Sequence, residues 1–224
     1  MSKSLLFILF QLIYSNLFCQ ELNHPIPSIS CTEPCKSKLN ISTGYNSVSS
    51  TPLTPGNVDN NWKVTLSSCT LPSCVPICPS VVIDRLTNPS YLNPFGNLNW
   101  ISYAVNYNLG LPCDITFERE FYLNQADVLT GTIEIACDNG CDWELIKPNP
   151  IPITAGSYPQ NGSSNFKTYK KFTYNSQSQA KCGKYILRIK VHNASGPVAL
   201  LGNINFSSKL NSLSNSNGCC LKCN

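Results

Sequence analysis

The chain has 224 residues, and its 16 Lys and Arg against 12 Asp and Glu leave a formal charge of +4, with charged residues only 12% of the whole. The excess is scattered, with Lys167, Lys170 and Lys171 the one local cluster, so nucleic acid is excluded as the expected partner and the surface reads as polar rather than highly charged. Thirteen cysteines in such a chain point to an oxidising compartment.

In chain order, Lys3 and the apolar run 5–14 form the basic and hydrophobic regions of a cleavable signal peptide, assigned to residues 1–19. The run is too short to span a bilayer comfortably, and no later stretch is apolar enough for a membrane helix. Leu17 and Phe18 stand where a lipoprotein box requires small residues, so lipid attachment at Cys19 is disfavoured. The expectation is a secreted, extracellular protein without a membrane span.

With Cys19 removed, twelve disulfide candidates remain: Cys31 and Cys35, then Cys69, Cys74 and Cys78, Cys113, Cys137 and Cys141, Cys182, and finally Cys219, Cys220 and Cys223. Their connectivity cannot be deduced from spacing. Only Cys220 and Cys223 have zinc-knuckle spacing, which leaves zinc the weaker reading. Asn40, Asn161, Asn193 and Asn205 are glycosylation candidates, whereas Pro89 blocks the sequon at Asn88.

Residues 20–39 carry Pro25, Pro27, Pro34 and two cysteines, and read as an extended lead-in. From 40 to 207 run short segments rich in Val, Ile, Tyr, Phe and Thr, separated by Pro, Gly and Asn, the pattern of an antiparallel sandwich. Trp62, Val64 and Leu66 share one strand face, and 81–83 and 100–104 are further strand candidates. Over 113–123, Ile115, Phe117, Phe121 and Leu123 alternate with Glu118 and Glu120, and Arg119 interrupts the apolar side. Ile133 and Ile135 share a face of the next strand, with 143–146 returning as its hairpin partner. Tyr185, Leu187, Ile189 and Val191 form the clearest buried face. Residues 208–224 are a Ser/Asn linker and a cysteine-rich tail that could also link chains covalently.

The segment 136–145 runs a strand into Asp138-Asn139-Gly140 and out again, which is hairpin chemistry, with Cys137 and Cys141 placed to close the turn. Its alternative reading is a ligand loop: Asp138, Asn139 and Asp142 offer oxygens to a calcium ion or to sugar hydroxyls. Among aromatic residues able to stack on a pyranose, Tyr91 and Trp143 rank first.

Several stretches then line up: Gly56-Asn57-Val58-Asp59-Asn60-Asn61-Trp62, Asn99-Trp100-Ile101, the strand from Phe117, Leu129-Thr130-Gly131-Thr132 with Asp138 and Asn139, Gly183-Lys184-Tyr185, and Asn193-Ala194-Ser195-Gly196-Pro197. Their order resembles the secreted galactose-binding-like jelly-roll domains, over about residues 42 to 206. The resemblance implies an all-β, antiparallel jelly-roll sandwich of eight or more strands, here stapled by disulfides, with mainly structural motifs. Glu144-Leu145-Ile146-Lys147-Pro148 departs from the family's usual hairpin, which puts a transferred ligand site in doubt.

No catalytic centre is expected. His24 and His192 are the only histidines, and neither sits in a nucleophile or metalloprotease motif. Glu118 with Glu120, or Glu134 with Asp138, could serve a small secreted glycosidase, but ordinary solvent-facing strand positions explain them. The leading expectation is a non-catalytic extracellular binding module for a glycan or glycoprotein at a cell surface, wall or matrix, with a structural calcium the one cofactor considered. The alternatives are a cysteine-crosslinked matrix component and the glycosidase.

Overall fold

The computed structural model describes residues 35–46, 49–68, 78–83, 91–104, 112–147, 152–159 and 165–215, without the side chains of Leu66 and Ser67. The signal peptide, most of the lead-in, the cysteine tail, Asn161 and Cys31, Cys69, Cys74, Cys219, Cys220 and Cys223 lie outside the described residues.

Among the described residues fourteen strands follow one another: β1 (Lys38–Asn40), β2 (Tyr45–Asn46), β3 (Thr51–Pro52), β4 (Val58–Ser67), β5 (Cys78–Val82), β6 (Ile101–Ser102), β7 (Cys113–Leu123), β8 (Leu129–Cys137), β9 (Gly140–Ile146), β10 (Pro152–Tyr158), β11 (Lys170–Asn175), β12 (Gly183–Asn193), β13 (Leu200–Ser208) and β14 (Leu213–Ser214). One hydrogen-bonded path, β10-β9-β12-β7-β4-β5-β6-β13-β8-β11, folds back on itself to make two layers. The first is the five-stranded sheet β10-β9-β12-β7-β4. The second is β11-β8-β13, flanked by β1 and β6 on the far side of β13. From β7 onward the chain alternates between layers except at the β9–β10 hairpin, the crossing pattern of a jelly roll. Every pairing is antiparallel.

Period-two alternation builds the core. Tyr185, Leu187, Ile189 and Val191 of β12 are completely buried, as are Ile115, Phe117, Phe121 and Leu123 of β7 and Ile133 and Ile135 of β8. Phe121 stacks on Phe206 of the opposite layer at 4.6 Å between ring centroids. Arg119 lies on this inner face, paired in register with Trp62, and its guanidinium donates to Asn61 O at 3.2 Å and Asn215 Oδ1 at 2.6 Å. It also faces the buried Asp59, whose pKa is raised because burial outweighs the bonds from Asn61 and Gly44 and the charge of Arg119.

Trp62 and Val64 of β4 are both buried, as their shared strand face predicts, and a register shift against β7 follows Val64. One expectation is corrected. The β8–β9 connection is not a hairpin, because β8 pairs with β11 and β13 while β9 pairs with β10 and β12. Asp138 and Asn139 arch from one layer to the other, and their N–H groups donate to Ala199 O at 3.1 Å and His192 O at 2.9 Å rather than across a turn.

Candidate functional site

The inter-layer arch occupies residues expected to meet a ligand. Asp138 is buried; its Oδ2 accepts from Tyr91 Oη at 2.7 Å and its Oδ1 from Asn139 Nδ2 at 2.7 Å. Burial pushes its pKa up to about 6 against the opposing effect of the Tyr91 bond. Asn139 Oδ1 accepts from Ala194 N at 2.8 Å, tying the arch to the turn after β12. These bonds give Asp138 and Asn139 the work of satisfying a buried crossing.

The two aromatic platforms are likewise turned inward. Tyr91 is only 2% exposed: Trp100 stacks on it at 4.6 Å and Phe166 packs at 5.5 Å, so no open ring face remains for a sugar. Trp143 is 3% exposed, with Phe172 edge-on at 5.3 Å and Gly156 directly over its indole nitrogen. Both rings belong to the hydrophobic core instead of a binding surface.

The calcium set does not assemble. Asp138 points its oxygens at Tyr91 and Asn139, whereas Asp142 Oδ2 lies 2.9 Å from His192 Nε2 on the outside of the five-stranded sheet. Among the described residues no group of three or more His, Cys, Asp or Glu could hold a metal ion, and calcium requires a convergent shell of six to eight oxygens. Of the described cysteines, Cys78, Cys113 and Cys182 are disulfide-bonded. Cys137 and Cys141 place their sulfurs 2.7 Å apart across the arch, fully buried, and Cys35 Sγ accepts from Asn124 Nδ2 at 3.3 Å. Of the sequons, Asn205 is exposed and Asn40 half-buried beside it in register, whereas Asn193 is 4% exposed, so burial argues against a glycan there.

What the fold does build is a groove of about 850 Å³ on the outer face of the five-stranded sheet. Asp142 and Glu144 of β9, Ala155 and Ser157 of β10, Asp114 and Thr116 of β7, and Arg188 and Lys190 of β12 present side chains to it, with Ser68 at one end. Alternation makes this possible: the strands that bury Ile189, Trp143 and Phe117 must turn their intervening residues outward. Register then sets opposite charges side by side. Arg188 is flanked by Glu118 and Glu144, and donates from Nε to Glu118 Oε1 at 2.5 Å and from Nη1 to Glu144 Oε1 at 2.6 Å. Lys190 Nζ lies 2.7 Å from Asp114 Oδ2, and His192 bridges Asp114 Oδ1 at 2.8 Å and Asp142 Oδ2 at 2.9 Å.

These contacts set the protonation states. Partial burial disfavours imidazolium in His192, but the bonds and charges of Asp114 and Asp142 outweigh it and raise its pKa. Partial burial also opposes ionisation of the two carboxyls. For Asp114 the bonds from Lys190 and His192 prevail, and for Asp142 those from Ser157 and His192, so both pKa values are lowered. Both imidazole nitrogens donate only in the charged form, so the two-sided clamp belongs to His192 as imidazolium.

No family model matches the chain, and no curated protein matches it. Solved structures do. A family 61 carbohydrate-binding module, TmCBM61, in complex with β-1,4-galactotriose is 13% identical, the match covering 55% of this chain and 78% of that one, with a TM-score of 0.40. A family 35 module from Cellvibrio japonicus Abf62 is 15% identical, with 54% and 78% covered and a TM-score of 0.35. Another family 35 module, in complex with a glucuronic acid-containing disaccharide, is 10% identical, with 74% and 99% covered and a TM-score of 0.34. Likeness at this level concerns the fold and carries no correspondence between site residues.

Proposed function

We propose that this chain is a non-catalytic carbohydrate-binding module, secreted from the cell, whose ligand lies in the groove across the outer face of the five-stranded sheet. The observation that carries the reading is the paired charge lining of that groove, in which Arg188, Lys190 and His192 are each held by carboxylates from neighbouring strands. Each sugar hydroxyl both donates and accepts, and a carboxylate fixed beside a cation offers both partners without reorganisation. The groove volume, about 850 Å³, is that of a site for a short oligosaccharide rather than for a single ion. The signal-peptide pattern expected over 1–19 and the disulfide-bonded cysteines support an extracellular setting.

The same pairing weighs against hydrolysis. A glycosidase needs one carboxylic acid kept protonated and a second carboxylate free to act. Glu118 and Glu144 instead bond the same guanidinium, while Asp114 is held ionised by Lys190 and His192, and Asp142 by Ser157 and His192.

A glycan array probed with the oxidised protein tests the reading. Selective binding is expected, weakened about tenfold or more in Lys190→Ala, because a bond to a charged group is worth about 1.5–3 kcal/mol. Absence of binding to every glycan, or binding untouched by groove substitutions, would refute it.

A further inference from the structure

Resting on the carbohydrate reading of the groove, we infer that its ligand is an uncharged, hydroxyl-rich oligosaccharide gripped by fixed ion pairs, and that uronate-bearing and sulfated glycans are rejected. One row across the outer face runs Glu144, Arg188, Glu118, Lys63 over four neighbouring strands, alternating in sign. The next row places Asp142 beside Lys190, which reaches over to Asp114, and His192 closes the end between Asp114 and Asp142. With His192 protonated, the four cations Lys63, Arg188, Lys190 and His192 meet the four carboxylates Asp114, Glu118, Asp142 and Glu144, so these two rows carry no net charge.

An acidic sugar gains little from such a surface. To reach Arg188 it must displace Glu118 or Glu144, both within 2.6 Å of the guanidinium, and to reach Lys190 it must compete with Asp114 at 2.7 Å. A displaced carboxylate would then face the incoming one, and like charges in a partly dry groove repel. A neutral hydroxyl displaces nothing: it accepts from a spare N–H of Arg188 or Lys190 and donates to a remaining lone pair of the paired carboxylate. Among the described lining residues the one aromatic ring, Trp143, is turned into the core, so these residues orient a ligand by hydrogen bonds rather than stacking.

The test is an array containing neutral oligosaccharides, their uronate-bearing counterparts and sulfated glycans, read at about 50 and about 500 mM NaCl. Neutral ligands are expected to bind with less than about a twofold change in Kd between the two salts, since exposed unpaired charge is what salt screens. The double variant Glu118→Gln/Glu144→Gln leaves Arg188 without its counterions, and is expected to gain binding to uronate-bearing glycans that salt abolishes. Wild-type binding to acidic glycans, lost at high salt, would overturn the inference and leave the carbohydrate reading standing. Failure to bind any glycan in either class would instead remove the reading beneath it. A double variant that still ignores uronates would contradict the assigned role of Glu118 and Glu144, and the inference with it.

Discussion

His192 holds two carboxylates from two neighbouring strands, and its proton decides whether both contacts survive. Its folded pKa is raised above the unfolded value, so its contribution to stability is fully present below about pH 6.5 and is lost as pH rises through the folded value. Asp114 and Asp142 act in the opposite sense: their folded pKa values are lowered, so their contribution is present above about pH 4 and is lost on acidification. Urea midpoints measured across pH should therefore fall for the native protein above about pH 6.5, and His192→Gln should flatten that limb. An unchanged limb in the variant would mean the clamp carries no linkage. Asp138 adds a separate acid-side signature. Its pKa is raised to about 6, so the stability it contributes is full below about pH 4 and lost as pH rises through about 6. Asp138→Asn should remove that slope, and a slope identical to the native one would place the titration elsewhere. At this scale the sequence was least informative. Tyr91 looks like a loop aromatic because Asp138, the partner that buries its hydroxyl, is 47 positions away.

Individual strands were the most readable level. In β12 strict alternation separates the buried residues from the outward ones, whereas in β7 the outward-register Thr116 and Tyr122 are buried too, and Glu118 and Glu120 project from one face as expected. What alternation cannot supply is register: Arg188 meets Glu118 across 70 positions and Glu144 across 44, and only pairing of the strands brings them together. The arch at Asp138 and Asn139 has the sequence of a hairpin for a related reason. Asn and Gly ease any sharp reversal of the chain, whether it returns to the same sheet or crosses to the other. The edge strand β10 provides a test of packing between elements. A Cβ on Gly156 would overlap the buried Trp143 indole nitrogen and crowd Phe172. Gly156→Ala should therefore cost about 1–3 kcal/mol in chemical denaturation, as other overpacked core positions do. A neutral effect would mean the indole can move aside freely.

For the whole molecule, the two layers depend on each other through a shared aromatic stack. Phe206 of β13 is completely buried against Phe121 of β7, so Phe206→Ala should lower stability by about 3–5 kcal/mol in urea unfolding. A loss under about 1 kcal/mol would show that the layers hold without it. The antiparallel sandwich is legible from strand lengths and spacing, because burial on one face of each strand leaves few other arrangements, and its jelly-roll order only through the resemblance; the crossing from β8 to β9 is not legible. The groove was not legible, because it consists of outward residues that look like ordinary solvated positions until the sheet brings them side by side. Its role is tested most directly by recording backbone amide shifts of the isotope-labelled protein while titrating a neutral oligosaccharide selected from the array. Saturable shifts centred on Asp142, Glu144, Arg188 and Lys190, and absent around Tyr91 and Asp138, are expected. Shifts centred on the Tyr91–Asp138 end of the sandwich, with the groove silent, would contradict the assignment of the site.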